Sequence, residues 1–188
     1  GGWGVYCGWD NDTRHNIPSR YEALCGLCGG EFNESLGVSK PYDFRSWVPD
    51  AIVVNLGTND ASAFEQPPFT IPETGEVCKQ RKNPDGTYNR EDLLKFEQAV
   101  IDFLKMLRKH NESSHIVWAY GMLGYDLTLA ITEAMNTYRN ETDDSNVAFL
   151  QLPDSTPDNL GAHAHPGPAS HERAAAILTE YFKKKWEV

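Results

Sequence analysis

Two short stretches of this sequence hold side chains whose types and spacing suit acyl chemistry. The first is Gly57-Thr58-Asn59-Asp60, which directly follows the apolar run Ala51-Ile52-Val53-Val54-Asn55-Leu56. A glycine lets the chain turn sharply off a strand, and an asparagine at the tip of that turn can aim a side-chain N–H at a developing negative oxygen. Taken alone, the tetrapeptide reads first as a turn in which Asn59 and Asp60 satisfy local backbone groups. The second stretch is Gly161-Ala162-His163-Ala164-His165-Pro166, with His171 shortly after. Proline after His165 disfavours helical backbone at the histidine and holds it extended in a loop, where an imidazole can serve as a general base. The bland alternative is a surface loop histidine. His163-x-His165 is also a metal-binding spacing, but no carboxylate or thiol cluster accompanies it, so no metal or other cofactor is expected.

Groups of this kind act only if the fold places them at the ends of strands. Residues 51–56 are a short β-branched run, read as a fully buried parallel strand. Residues 60–88, with Pro67-Pro68 and Asn83-Pro84-Asp85-Gly86, read as a long loop. A helix is expected over 90–110, where Leu93, Leu94, Phe96, Val100, Ile101, Leu104 and Leu107 recur at helical spacing behind an Asn89 cap. Strands over 115–120 and 147–152, a helix over 126–139 and a terminal helix over 168–186 complete the pattern. Lys183, Lys184 and Lys185 at the end of the last helix read as a solvated terminus that complements its dipole. Alternating strands and helices make one α/β domain over 1–188, with a doubly wound parallel sheet and its chemistry outside the carboxyl ends of the strands.

The 188 residues suffice for one such domain, and 40% apolar content is enough to build its core. A net charge of −10 argues against nucleic acid or an anionic membrane as partner. No apolar stretch is long enough to span a membrane. The start Gly1-Gly2-Trp3-Gly4, with no leader and no Met, suggests a processed or truncated product. Asn-x-Ser/Thr acceptors at Asn11, Asn33, Asn111 and Asn140 lie in polar stretches expected at the surface; together they favour a eukaryotic, secreted glycoprotein. In that setting Cys7, Cys25, Cys28 and Cys78 favour disulfides, with three possible internal pairings; bridges to another chain, free thiols and a metal site are the other readings.

An apolar strand ending Leu56-Gly57-Thr58-Asn59-Asp60, followed much later by His165-Pro166 and a terminal helix, resembles the SGNH (GDSL-type) hydrolases. Gly2-Trp3-Gly4-Val5-Tyr6 and Phe44-Arg45-Ser46-Trp47-Val48-Pro49-Asp50 resemble, more narrowly, carbohydrate esterase family 2, sugar O-deacetylases that include acetyl xylan esterases. The resemblance runs along essentially the whole chain. It implies a flavodoxin-like three-layer sandwich whose first strands are missing from this chain. It also implies a serine ester hydrolase in which Asn59 and the backbone N–H of Gly2 are oxyanion donors and His165 is the base. Asp60 and His171 are expected to support the loop and the helix start.

Two departures qualify that implication. Most of the superfamily has Asp three residues before the histidine, where this sequence has Ala162. Family 2 esterases resemble this sequence in often lacking that Asp and orienting the histidine by a backbone carbonyl; the resemblance therefore implies a carbonyl within 161–164, with Asp154 or Asp158 as less favoured candidates, and a neutral partner stabilises imidazolium less than a carboxylate does. Secondly, none of the ten serines follows Gly-Asp after an apolar strand, and Ser62 lies past the turn. An N-terminal chain or segment carrying a Gly-Asp-Ser block is therefore expected as partner, with acetylated carbohydrate as substrate and this chain inactive by itself. Without that segment, strand 51–56 would show an unpaired edge and an apolar flank. The alternative is a non-catalytic secreted subunit of an extracellular assembly. Its Trp3, Trp9 and Trp47 could stack on sugars, although core packing is the expected role of these residues.

Overall fold

A computed structural model describes residues 2–25 and 29–187. In chain order the elements are α1 (Pro18–Tyr21), α2 (Glu31–Ser35), β1 (Ala51–Val54), α3 (Thr58–Ala63), β2 (Phe69–Thr70), β3 (Val77–Cys78), α4 (Arg90–His110), β4 (His115–Tyr120), α5 (Thr128–Thr142), β5 (Val147–Gln151) and α6 (Pro168–Trp186). Two 3-10 turns, Pro157–Asn159 and Ala162–Ala164, join β5 to α6.

Helix α4 shows why these elements form. The Asn89 side chain accepts from the backbone N–H groups of Glu91 and Asp92, and acids fill the first turn while Arg108, Lys109 and His110 fill the last. Such a cap contributes about 1 kcal/mol, and the end charges match the helix dipole. One face, including Phe96, Val100, Leu104 and Leu107, is buried. Helix α5 begins at Thr128 rather than 126, because a turn closed by the Thr128 N–H on the Tyr125 carbonyl precedes it. It runs on to Thr142 and ends where Asp143 turns left-handed. The expected loop over 60–88 contains most of α3 and the antiparallel β2–β3 ribbon, held by local backbone bonds that apolar periodicity does not announce.

The main sheet is parallel, in the order β1–β4–β5. Ile116, Trp118 and Tyr120 of β4 face the core shared with α4 and α5, while Val117 and Ala119 face α6. Val53 is in register with Val117 and so lies on the α6 side. Helix α6 covers Val117 but leaves Val53 43% exposed. Strand β1 is thus not fully buried: among the described residues it pairs with β4 alone, and its other edge is open. The unpaired edge and apolar flank expected from the sequence are both present. Lys183, Lys184 and Lys185 are exposed at the end of α6.

Two of the four glycan acceptors are corrected. Asn11 is fully buried, its amide donating to the carbonyls of Ala63 and Pro67. Asn111 is also buried, bonded to the Leu107 carbonyl and the Tyr21 hydroxyl. Their amide nitrogens are committed to structure, whereas Asn140 is exposed on α5 and Asn33 is partly exposed on α2. Cys7 and Cys78 are buried free thiols, so the expected disulfides do not involve them; Cys28 lies outside the described residues. Trp9 and Trp47 are exposed, against the expectation of core packing.

Candidate active site

The turn after β1 requires its glycine. Gly57 has φ +124°, and a Cβ there would stand 3.0 Å from the Tyr120 ring. This tight turn starts α3 and carries Asn59 to the carboxyl end of the sheet. The Asn59 amide donates to the carbonyl oxygen of Trp3 at 2.9 Å. A primary amide has two N–H donors, so this bond fixes the side chain while leaving the other N–H to meet a ligand.

Asp60 supplies the matching anchor. Its buried carboxylate accepts from the backbone N–H groups of Val5 (2.9 Å), Tyr6 (2.8 Å) and Cys7 (3.1 Å). Burial pushes its carboxyl pKa up, opposed by those three donors, which favour the charged form. Asp60 therefore ties the N-terminal segment to α3, as expected of a supporting residue, and this brings Gly2 and Trp3 to the cleft.

His165 is positioned from the other side of the cleft. It has extended backbone, φ −81° and ψ 160°, as the following proline requires. His163 and Ala164 before it are both left-handed, with φ of 53° and 56°. Each such non-glycine residue costs about 1 kcal/mol, and surrounding bonds sustain the kink. The Gly161 N–H donates to the His165 carbonyl at 2.6 Å, and the His165 N–H donates to the Ala162 carbonyl at 3.1 Å. The ring Nδ1 lies 3.0 Å from the His163 carbonyl oxygen. With Nδ1–H donating there, Nε2 is left as the acceptor. The orienting group is thus a carbonyl within 161–164. Asp154 instead accepts from the Gly124 and Ser155 backbone, and Asp158 accepts from the Thr156 hydroxyl.

Gly2, Trp3, Asn59 and His165 line one open cleft of about 1330 Å³. His171, in the first turn of α6, faces an adjoining pocket with Asn59 and His165 and donates its backbone N–H to Gly167. Ser62 lines the main cleft, but its hydroxyl donates to the Thr58 carbonyl at 3.0 Å, a bond within its own helix. Ser155 and Ser170 bond each other at 2.8 Å. Among the described residues no cluster of His, Cys, Asp and Glu is arranged to hold a metal ion, and no helix is long and apolar enough to cross a membrane. Sequence reasoning missed Trp3, whose carbonyl fixes Asn59; a backbone acceptor leaves no mark in residue type.

No protein-family model matches the chain. Its structure superposes on Est2A, an acetyl xylan esterase from the rumen bacterium Butyrivibrio proteoclasticus, with a TM-score of 0.96 and 58% identity, covering 98% of this chain and 50% of that one. A family two carbohydrate esterase from Clostridium thermocellum, solved in complex with cellohexaose, matches with a TM-score of 0.68 and 25% identity over 98% of this chain and 47% of that one. The cellulase/esterase CelE of Acetivibrio thermocellus is 27% identical over 150 residues, 77% of this chain and 15% of CelE. The chain spans about half the length of these solved esterases. Both in sequence and in its parallel α/β sheet, it resembles the SGNH-type hydrolases of carbohydrate esterase family 2.

Proposed function

We propose that this chain is the histidine- and oxyanion-bearing part of a carbohydrate O-deacetylase, with the nucleophilic serine on an N-terminal segment or partner chain. The observation that carries the reading is the convergence of Asn59, Gly2 and His165 on one cleft, with the His165 ring set by the His163 carbonyl. The esterase names of the similar proteins support it.

In this mechanism His165 Nε2 takes the serine hydroxyl proton as Oγ bonds to the acetyl carbon. The carbonyl electron pair moves to oxygen, where the free Asn59 N–H and the Gly2 backbone N–H meet it. One donor of this kind is worth about 3 kcal/mol in the transition state. Collapse breaks the bond to the sugar oxygen, which takes the proton from His165. Water then releases acetate by the same steps, restoring the serine. The serine segment also pairs with the open edge of β1 and covers Val53.

The test uses the native assembly and a fluorophosphonate probe. The probe is expected to label a serine on the N-terminal segment or partner, and His165→Ala is expected to abolish both labelling and acetate release from acetylated xylan. Labelling of a serine in this chain would overturn the assignment.

A further inference from the structure

Behind the oxyanion donors stands a histidine that the chemistry above does not use. His15 belongs to the polar turn Asp12-Thr13-Arg14-His15-Asn16 and lies outside the lining of the cleft. The turn is closed from within: the His15 N–H donates to the Asp12 carbonyl at 3.1 Å, and the Asn16 amide to the Thr13 carbonyl at 2.8 Å. Its base is the buried Asp12 carboxylate, which also accepts the Arg14 backbone N–H at 2.9 Å.

From this base His15 meets the oxyanion segment twice. Its backbone carbonyl accepts the Gly4 N–H at 3.3 Å, and its imidazole stacks on the Trp3 indole with the planes 25° apart. Two carboxylates set the ring from the far side, Nδ1 lying 3.7 Å from Asp12 Oδ2 and 3.9 Å from Asp10 Oδ2. The imidazole has little room to slide, because even a Cβ on Gly8 would stand 3.0 Å from His15 Cβ and 2.6 Å from Asp10 Oδ1.

The stack falls on the residue whose carbonyl holds Asn59. The neighbours of Trp3 are tied through their backbones, Gly2 by the Trp9 N–H on its carbonyl and Val5 by Asp60. At Trp3 the side-chain stack adds to those ties. A turn of the Trp3 peptide would swing its carbonyl off the Asn59 amide and release the donor. An aromatic stack shifts such an equilibrium by about three- to tenfold.

We propose that His15 is a positioning residue of the oxyanion hole: its imidazole holds the Trp3 indole, and so the carbonyl that aims Asn59. This rests on the deacetylase reading above.

The test compares wild type, His15→Ala and His15→Phe in the native assembly, each with Asn59 intact and with Asn59→Ala, on acetylated xylo-oligosaccharide. With Asn59 intact, His15→Ala should lower kcat about three- to tenfold and leave KM within about twofold, and His15→Phe, which keeps a stacked ring, should recover most of the loss. In the Asn59→Ala background the same alanine substitution should change kcat less than about twofold, because the donor it positions is gone. Equal factors in the two backgrounds, or an effect confined to KM, would overturn the proposal. Hydrogen exchange of the Asn59 side-chain amide, read by NMR on the labelled assembly, separates it from the deacetylase reading. If wild type releases no acetate, the deacetylase reading fails, while faster Asn59 exchange in His15→Ala, reversed in His15→Phe, still supports the positioning role. Equal exchange in wild type and the alanine variant sinks it.

Discussion

Asn59 and Trp3 are 56 residues apart, and the amide of one donates to the backbone carbonyl of the other at 2.9 Å. Because Gly2 immediately precedes Trp3, this bond locks the side-chain donor and the neighbouring backbone into one unit. Trp3 is itself held, its indole stacked on His15 at 4.9 Å with the Arg20 guanidinium 5.9 Å from the ring. A pre-ordered pair of donors is what an oxyanion needs, since no reorganisation is then required during reaction.

Asn59→Ala should lower kcat of the complete assembly by about 10²- to 10³-fold while changing KM little. Steady-state kinetics on an acetylated sugar provide the measurement. A fall smaller than about threefold would remove Asn59 from the oxyanion hole.

Asp60→Asn should destabilise the chain by about 3 kcal/mol. An amide replaces one acceptor oxygen with a donor, which then faces backbone N–H groups that the carboxylate now satisfies. Urea denaturation reads the loss. Activity should fall beyond the fraction unfolded, because Gly2 and Trp3 lose their tether.

Stability on the acid side should depend on Asp12. Hydrogen bonds from Arg14 hold its carboxyl below the ordinary carboxylate range. The Arg14 side chain donates through Nε at 2.9 Å and Nη2 at 2.7 Å. A depressed pKa means the unfolded chain binds the proton more readily, so the stabilisation is complete above about pH 4 and is lost as pH falls through the folded-state value. Thermal melts between about pH 2 and 6 should show a shallower acid limb for Asp12→Asn than for wild type. Parallel limbs would assign the acid sensitivity elsewhere.

Val53→Lys tests the open face of the sheet. In this chain alone Val53 is 43% exposed, so the change should cost no more than about 0.5 kcal/mol. If the serine segment covers this face, the same substitution buries a lysine and should abolish assembly and ester hydrolysis together. Co-purification of the serine-bearing segment with the variant at wild-type yield would refute that packing.

Much of the fold was legible because local rules and tertiary packing agree. Helix α4 lies where the apolar period and the Asn89 cap put it, and β4 and α6 also lie at their expected positions. The open flank at Val53 was legible too, because an apolar strand with too few partners must expose a side. Elsewhere local pattern misled. Asn11 sits in a polar stretch and matches a glycan acceptor, yet it is buried because its amide bonds α3 and Gln80 across more than 50 residues. Helix α3 is short and rich in polar residues, so no apolar period marks it. Cys7 and Cys78 are buried thiols, where count and composition favoured a bridge.

By residue type and order, the sequence singled out Asn59 behind a glycine turn and His165 held extended by Pro166, and the family resemblance supplied the roles proposed for them. The resemblance favoured a carbonyl within 161–164 as the ring's orienting group, with Asp154 and Asp158 still open as alternatives. Only the tertiary structure decided that the carbonyl is that of His163, that Asn59 is fixed by Trp3, and that Asp60 draws the N-terminal segment into the cleft. These are bonds to backbone atoms, which every residue carries. Chain geometry selects among them, and side-chain identity does not.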